Sequence, residues 1–408
     1  VSIFDTLFGK FKNTVGNYTQ FKFMNYTPTF SDFGTRMFDS DTVRAAVDSI
    51  ASNAAKLKPV HVRIVGGQVQ QLSDPRINYA ISVRPNALMS AYDFWYQMFA
   101  QREIKNNSFA IINYDREGNL SLYPISYSSI FAVEQDGVLF MRFMLNSGEQ
   151  LTVDYDELIH LRRHFYDHDV FGANNKAILP TLELLNTINE GLGNAIKSTA
   201  YLRGILQFTQ TMLKPEDIKK QRDDFITDYL DMSNNGGIAA LDSKAEYKEL
   251  KGEPKFVNPV QMKYIKDNVY DYYNINQNII QGNYTENQWN AFYESKLEAI
   301  GLQAALECTY KIFTKGQLGH GNQIIFEANR LQYASNSTKI ELLNKLIPLG
   351  LLSQNEGREI FNLAPLPDGD RRFISLNYVD TDIINQYQLD KVKGGEGDDT
   401  STDDQQDD

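Results

Sequence analysis

This 408-residue sequence has a single cysteine, Cys308, two tryptophans, and no long run of apolar residues. A lone cysteine excludes an internal disulfide framework and fits synthesis in a reducing compartment. The missing apolar run excludes a membrane-spanning helix, which needs about 20 such residues. The start, Val1-Ser2-Ile3-Phe4-Asp5, puts no basic region ahead of an apolar one, so no secretory signal peptide is expected. Basic charge is scarce as well: 40 Lys and Arg stand against 52 Asp and Glu, a net of −12. A protein that grips duplex nucleic acid through many phosphates needs Lys and Arg. This balance speaks against such a grip, but not against nucleic acid sliding past. Residues 394–408, GGEGDDTSTDDQQDD, hold seven of the carboxylates and no cation; from −12, seven fewer leave −5. That tail is expected to be solvated and disordered.

Catalytic signatures are also thin. Gly66-Gly67 and the glycines at 316, 319 and 321 form turns, and neither is followed by the Lys-Ser/Thr pair of a phosphate-binding loop. No Ser or Cys sits in a nucleophile elbow. His160, His164 and His168 recur every four residues beside Asp167 and Asp169, a column that could bind metal on a continuous helix. However, Asp167-His168-Asp169 reads as a turn, and no His-Glu-x-x-His pattern is present. Structural histidines are the favoured reading. A metal-dependent hydrolase using His160, His164 and Asp167 is the alternative, and no cofactor is expected.

What is present is enough apolar material, 42% hydrophobic and 12% aromatic, for the cores of two or three domains. Ile3, Phe4, Leu7, Phe8 and Phe11 space as a short amphipathic helix ahead of a polar linker to Ser40. Residues 41–57 read as a helix striped by Val43, Val47, Ile50, Ala54 and Leu57 and ended by Pro59. A strand at 60–65 turns into one at 68–72. Ser90, with Asp93 three residues on, opens a helix that buries Phe94, Trp95, Met98 and Phe99. Strands follow at 108–113, 120–124, 130–134, 138–145 and 150–153, divided by Gly-bearing turns, and 157–162 leaves the sheet. A helix covers 177 to about 202.

The stretch 214–314 organises the rest. Pro215, Glu216 and Asp217 suit a helix start, and Asn234-Asn235-Gly236-Gly237 stops it. Strands are expected at 238–241 and 246–250. Asn258 as N-cap and Pro259 behind it open a second helix reaching Asn278, with Met262, Ile265, Val269, Tyr272 and Ile279 on its apolar face. Tyr270, Tyr272 and Tyr273 continue that stripe and read as helix contacts before base-stacking platforms. A polar loop at 281–288 precedes a long helix from about Trp289 to Thr314. A strand at 323–328 and helices at 338–346 and 353–362 complete the chain.

Several motifs now fall in order: Arg84-Pro85-Asn86, Tyr92-Asp93-Phe94-Trp95, Asn107-Ser108-Phe109-Ala110, Leu122-Tyr123-Pro124-Ile125, and Glu157-Leu158-Ile159-His160-Leu161-Arg162. Phe171-Gly172, Ile178-Leu179-Pro180, and Asn355-Glu356-Gly357-Arg358 before Leu363-Ala364-Pro365-Leu366-Pro367 continue them. The ordered series resembles the portal proteins of tailed double-stranded-DNA bacteriophages, in particular those of long-tailed phages, across residues 40–370. Each motif alone is weak, and the order carries the likeness. Many relatives have Gly-Asn-Ala-Tyr at 107–110, and many have a Pro near Ala299. Its absence removes the usual cause of a sharp kink from the long helix.

The resemblance implies an α+β subunit. Residues 1–40 would be an N-terminal amphipathic segment and linker, and 41–213 the first part of a wing. Helices at 214–232 and 258–280 would form a stem, and 233–257 a small β clip. A tunnel loop would occupy 281–288, a long helix and second wing part 289–337, a helical crown 338–388, and a disordered acidic tail 389–408. It further implies a closed ring of about twelve copies at one vertex of the virion capsid, assembled in the host cytoplasm and without enzymatic activity. The implied partners are the terminase large subunit (the packaging ATPase), the major capsid protein and scaffold, a head–tail adaptor, and double-stranded DNA, with no membrane. Gln281, Gly282, Asn283, Tyr284, Thr285, Glu286, Asn287 and Gln288 would face the DNA. Lys219, Lys220, Arg222, Lys263 and Lys266 would line the channel, although solvated helix faces fit them equally. Asn234, Asn235, Asp242, Ser243, Lys244 and Glu246 would meet the motor and adaptor. Another head assembly protein, such as an adaptor or scaffold, is the alternative within the structural class.

Overall fold

The structure is a computed structural model. It describes residues 19–20, 29–31, 40–66, 68–70, 74–166, 168–200, 204–208, 215–216, 219–220, 223, 245–249, 258–327, 336–361 and 363–372. The chain divides into two compact units, 1–327 and 328–408.

In the first unit, β1 (Thr19–Gln20) and β2 (Thr29–Ser31) precede helix α1 (Asp41–Ala54). Then come β3 (Lys58–Val65), β4 (Gln68–Gln70), a single turn α2 (Pro75–Asn78) running into a π-helical turn, and α3 (Ala91–Lys105). The expected capping box at Ser90 is formed: its hydroxyl accepts from the Asp93 amide, and Asp93 accepts from the Ser90 amide. Six strands follow: β5 (Asn107–Tyr114), β6 (Leu120–Pro124), β7 (Tyr127–Gln135), β8 (Val138–Leu145), β9 (Gln150–Asp154) and β10 (Leu158–Arg162). Next are α4 (Leu179–Ala200) and a two-stranded ladder of β11 (Gly204–Phe208) with β12 (Ala245–Glu249).

The sheets are antiparallel. One has the order β10-β5-β6, and a second joins β7, β8 and β9, with β1 and β2 both pairing with β7. Phe109, Ile111, Tyr127, Ile130, Met141, Phe143, Val153 and Leu158 are buried side chains from both sheets in one core cluster. Each such side chain is worth about 1.5–3 kcal/mol when fully buried. Beside it, the apolar stripe of α1 packs on α3, where Phe94, Trp95, Met98 and Phe99 are buried as expected.

The organising stretch then begins. Helical backbone is described at 215–216, 219–220 and 223. The strand expected at 246–250 is β12, but it pairs with β11, a segment read as neither strand nor helix; 238–241 lies outside the described residues. Next come α5 (Pro259–Tyr273), a single turn α6 (Gln277–Ile280), α7 (Glu286–Phe292) and α8 (Glu298–Ile312). Asn258 caps α5 as expected. That helix was expected to reach Asn278, yet it stops at Tyr273, because Asn274 takes the left-handed conformation (φ 54°). Asn tolerates that conformation better than most residues, and it terminates helices.

From Glu286 to Ile312 the long helix is interrupted by a π-helical turn, Tyr293–Leu297, which ends two residues before Ala299. Without proline there, the chain still places a recognised cause of helix kinks. A short α9 (Lys315–Gly319) leads into β13 (Asn322–Glu327), which pairs along β3 to give the sheet order β13-β3-β4.

The second unit contains α10 (Asn336–Leu346) and α11 (Gln354–Ile360). Asn355 pins the following segment: its Oδ1 accepts from the Leu366 amide at 2.8 Å, and its Nδ2 donates to the Asp370 carboxylate at 2.8 Å. The expected N-terminal helix and acidic tail lie outside the described residues.

Candidate functional site

The proposed loop turns out shorter than its sequence reading. Gln281 and Gly282 form a turn, with Gly282 at φ +70°, and Asn283 and Tyr284 carry the chain to Thr285. Thr285 then starts α7. Its hydroxyl accepts from the Gln288 amide at 3.3 Å, and the Gln288 side chain accepts from the Thr285 amide at 3.0 Å. Glu286, Asn287 and Gln288 are therefore helical rather than loop. The pattern Thr-x-x-Gln was visible as a capping box and explains the correction.

The five exposed residues left, 281–285, are tied at their base. The Asn283 amide donates to the Asn278 carbonyl at 2.9 Å. Tyr284 stacks on Trp289 with ring centroids 5.2 Å apart.

The first unit also contains a cluster that the sequence reading missed. Glu103, on α3, is 0% exposed. Its carboxylate takes the Lys296 ammonium at 2.9 Å, the Arg163 Nε at 3.4 Å, and the guanidinium of Arg102. Arg163 follows β10 and reaches farther: its Nη2 donates to the Tyr272 carbonyl at 2.6 Å, and its guanidinium lies over the rings of Tyr272 and Tyr273. Lys296 belongs to the π-helical turn. One buried carboxylate thus joins α3, the exit of β10, the end of α5 and the π-helical turn inside the long helix.

The electrostatics are lopsided. Burial alone would raise Glu103, but Lys296, Arg163 and Arg102 outweigh it and hold its pKa at about 2. For Lys296, burial wins over the attraction of Glu103 and lowers the pKa to about 8. The two shifts agree with three cations sharing one carboxylate: Glu103 is amply compensated and Lys296 is not.

The motifs that carried the resemblance meet next to this cluster. Asn106 ends α3 in the left-handed conformation, φ 56°. Asn107 Oδ1 accepts from the Gly172 amide at 2.8 Å and lies 3.0 Å from His160 Nε2. A Cβ on Gly172 would fall 2.2 Å from the Arg163 carbonyl oxygen and 2.4 Å from that of Asn106, so only glycine fits. Asn86 Nδ2 donates to the Leu122 carbonyl at 2.7 Å.

The histidine column does not form. His160 is buried in β10, both ring nitrogens are engaged, by Asn107 and by Tyr155, and it stacks on Phe109 at 4.0 Å. Burial first, then Arg162 and Lys311, hold its pKa well below the usual 6.5. His164 lies past the strand with φ 53°, its ring near that of Tyr272, and Asp167 lies outside the described residues. Among the described residues no three His, Cys, Asp or Glu side chains group to hold a metal.

Of the expected channel cations, Lys263 is exposed and Lys266 half-buried on α5; Lys219 and Lys220 are exposed. Arg222 lies outside the described residues, as do Asn234, Asn235, Asp242, Ser243 and Lys244; Glu246 pairs opposite Gln207 in the β11–β12 ladder. Tyr273 is fully buried and the Tyr272 hydroxyl donates to Asn175 at 2.7 Å, so these rings serve packing.

The model of the phage portal protein family matches residues 41–362. Two curated relatives, each described as a probable portal protein, come from Lactococcus phage p2 and Lactococcus phage SK1. Both are 24% identical over 287 residues, covering 68% of this chain and 71% of theirs. Among solved structures, the neck of a native gene transfer agent particle computed with C12 symmetry is similar at a TM-score of 0.59 and 15% identity. That match covers 83% of this chain and 95% of that one. The virion of a native gene transfer agent particle gives 0.56 and 16%, covering 81% and 92%. At these identities the structural likeness is one of fold.

Proposed function

The chain belongs to the phage portal protein family, and on that premise we propose how it performs the portal role. Copies close into a ring, about twelve by analogy with the C12-symmetric neck, at one vertex of the virion, and DNA passes through the ring's centre. The observation that carries this reading is the family match across 41–362, which spans both the buried motif cluster and the helix–turn–helix that it anchors.

In this reading α5 and the segment expected as a helix at 214–232 form the stem, and residues 281–285 project toward the DNA as the tunnel turn. The turn offers amides and hydroxyls and no fixed cation, and the helix beside it adds Lys263 and Lys266. Short hydrogen bonds to phosphate, without a row of arginines, let a duplex slide where a strong electrostatic grip would hold it. Movement is supplied by a partner motor, the terminase large subunit. The clip at 233–257 meets that motor and later the tail adaptor, while residues 338–388 take the role of the crown.

Negative-stain electron microscopy with native mass measurement tests the ring: closed rings with a central hole are expected, and a chain that stays monomeric with its head partners present would overturn it. Replacing residues 281–284 by a Gly-Ser linker tests the turn. Rings should persist while DNA packaging or retention falls, and unchanged packaging would remove the turn from the mechanism.

A further inference from the structure

Three ridges of side chains stand out on the first unit, each with the four-residue spacing that lines up on one helix face. On α8, Leu302, Leu306 and Tyr310 are 60%, 63% and 61% exposed. On α4, Pro180, Leu184 and Ile188 form a second ridge, and on α5, Val260, Tyr264 and Asn268 a third. The last two face each other across an open groove of about 930 Å³. None of the ten residues lining that groove is charged, in a chain where 23% of residues are. Depletion of charge with a tyrosine at the centre is the composition of an interface core.

We infer that the α8 ridge of one copy seats in the α4–α5 groove of the next. This rests on the ring reading above and specifies its contact. A ring needs two different patches on each subunit that complement one another, because identical patches would close a dimer instead. Among the described residues, an apolar ridge on α8 and an apolar groove between α4 and α5 lie on different helices. A ridge of four-residue spacing fits between two others of the same spacing, as in the commonest helix packing. A foreign protein that covered only one of them would leave the other wet in every subunit, whereas a ring covers both at once. Lys266 lies across α5 from Tyr264, so the seated neighbour leaves it uncovered, whereas Lys263, three residues after Val260, borders the groove.

The test uses the full chain with Leu306→Cys on the ridge and Tyr264→Cys in the groove, joined by a short bismaleimide; native Cys308 is fully buried and serves as the silent background. The double variant should give a ladder of covalent oligomers, and each single variant should not. In parallel, Leu306→Glu should raise the concentration needed for ring formation at least about tenfold, and adding Tyr264→Lys should recover part of that loss. Circular dichroism confirms folding of each variant, since all these side chains are exposed. Rings from the double variant with no ladder would overturn the pairing and leave the ring reading standing. A native chain that forms no rings with its head partners present would overturn both.

Discussion

The buried cluster around Glu103 and the exposed turn at 281–285 are built on opposite terms. The cluster commits charges, rings and a glycine to positions that admit no substitute: Glu103 is fully buried, and Gly172 has carbonyl oxygens where a methyl group would go. The turn is exposed and polar, and it is held by the cap at Thr285, amide bonds from Gln281, Gly282 and Asn283 back to residues 277–279, and the stacking of Tyr284 on Trp289. On the proposed reading the turn brushes a moving duplex, and such a part has to yield locally while its mounting does not. Local stability in proteins is uneven in this way, with mobile functional segments carried on rigid ones.

Breaking the mounting should cost most. Glu103→Ala leaves three cations buried without their carboxylate, and chemical denaturation should show a loss of about 3–5 kcal/mol. Acid probes the same group without mutation. The unfolded carboxyl titrates near 4.5 and the folded one near 2, so its stabilisation is complete above 4.5 and is lost as pH falls toward 2. The loss is about 3 kcal/mol, measurable as a falling denaturation midpoint that Glu103→Gln should largely abolish. Lys296 runs the other way. The unfolded chain holds this proton more tightly, so stability should climb as pH rises from about 8 toward 10.5. Gly172→Ala should cost about 1–3 kcal/mol by overpacking.

At the turn the effects shrink. Thr285→Ala removes a cap and should cost about 1 kcal/mol. Asn283→Ala should stay within about 0.5 kcal/mol in the same assay, and a larger loss would show that the turn is not the independent part described.

Local chemistry was legible from sequence, and distant pairing was not. Strands β6 and β8 match their sequence reading residue for residue: Gly-bearing turns bound β8 on both sides, and one such turn precedes β6, which ends at Pro124. Ser90 and Asn258 announced their helices. Two local signals were present but unused: Thr285 with Gln288 at the start of α7, and Asn274 as a helix stop. Glu103 is different in kind. Its partners Arg163 and Lys296 are 60 and 193 residues away, and nothing in the window around Glu103 distinguishes it from a solvated helix carboxylate. The ladder of β11 with β12 was hidden for the same reason, since 36 residues separate Phe208 from Ala245.

The stacking of Tyr284 on Trp289 has an optical consequence. Indole emission responds to what touches the ring, and the chain's other tryptophan, Trp95, sits 1% exposed in the core far along the sequence. With Trp95→Phe, the protein carries a single lamp set directly under the turn. Its brightness and colour then report, in real time and without an attached dye, each time the turn lifts from its seat.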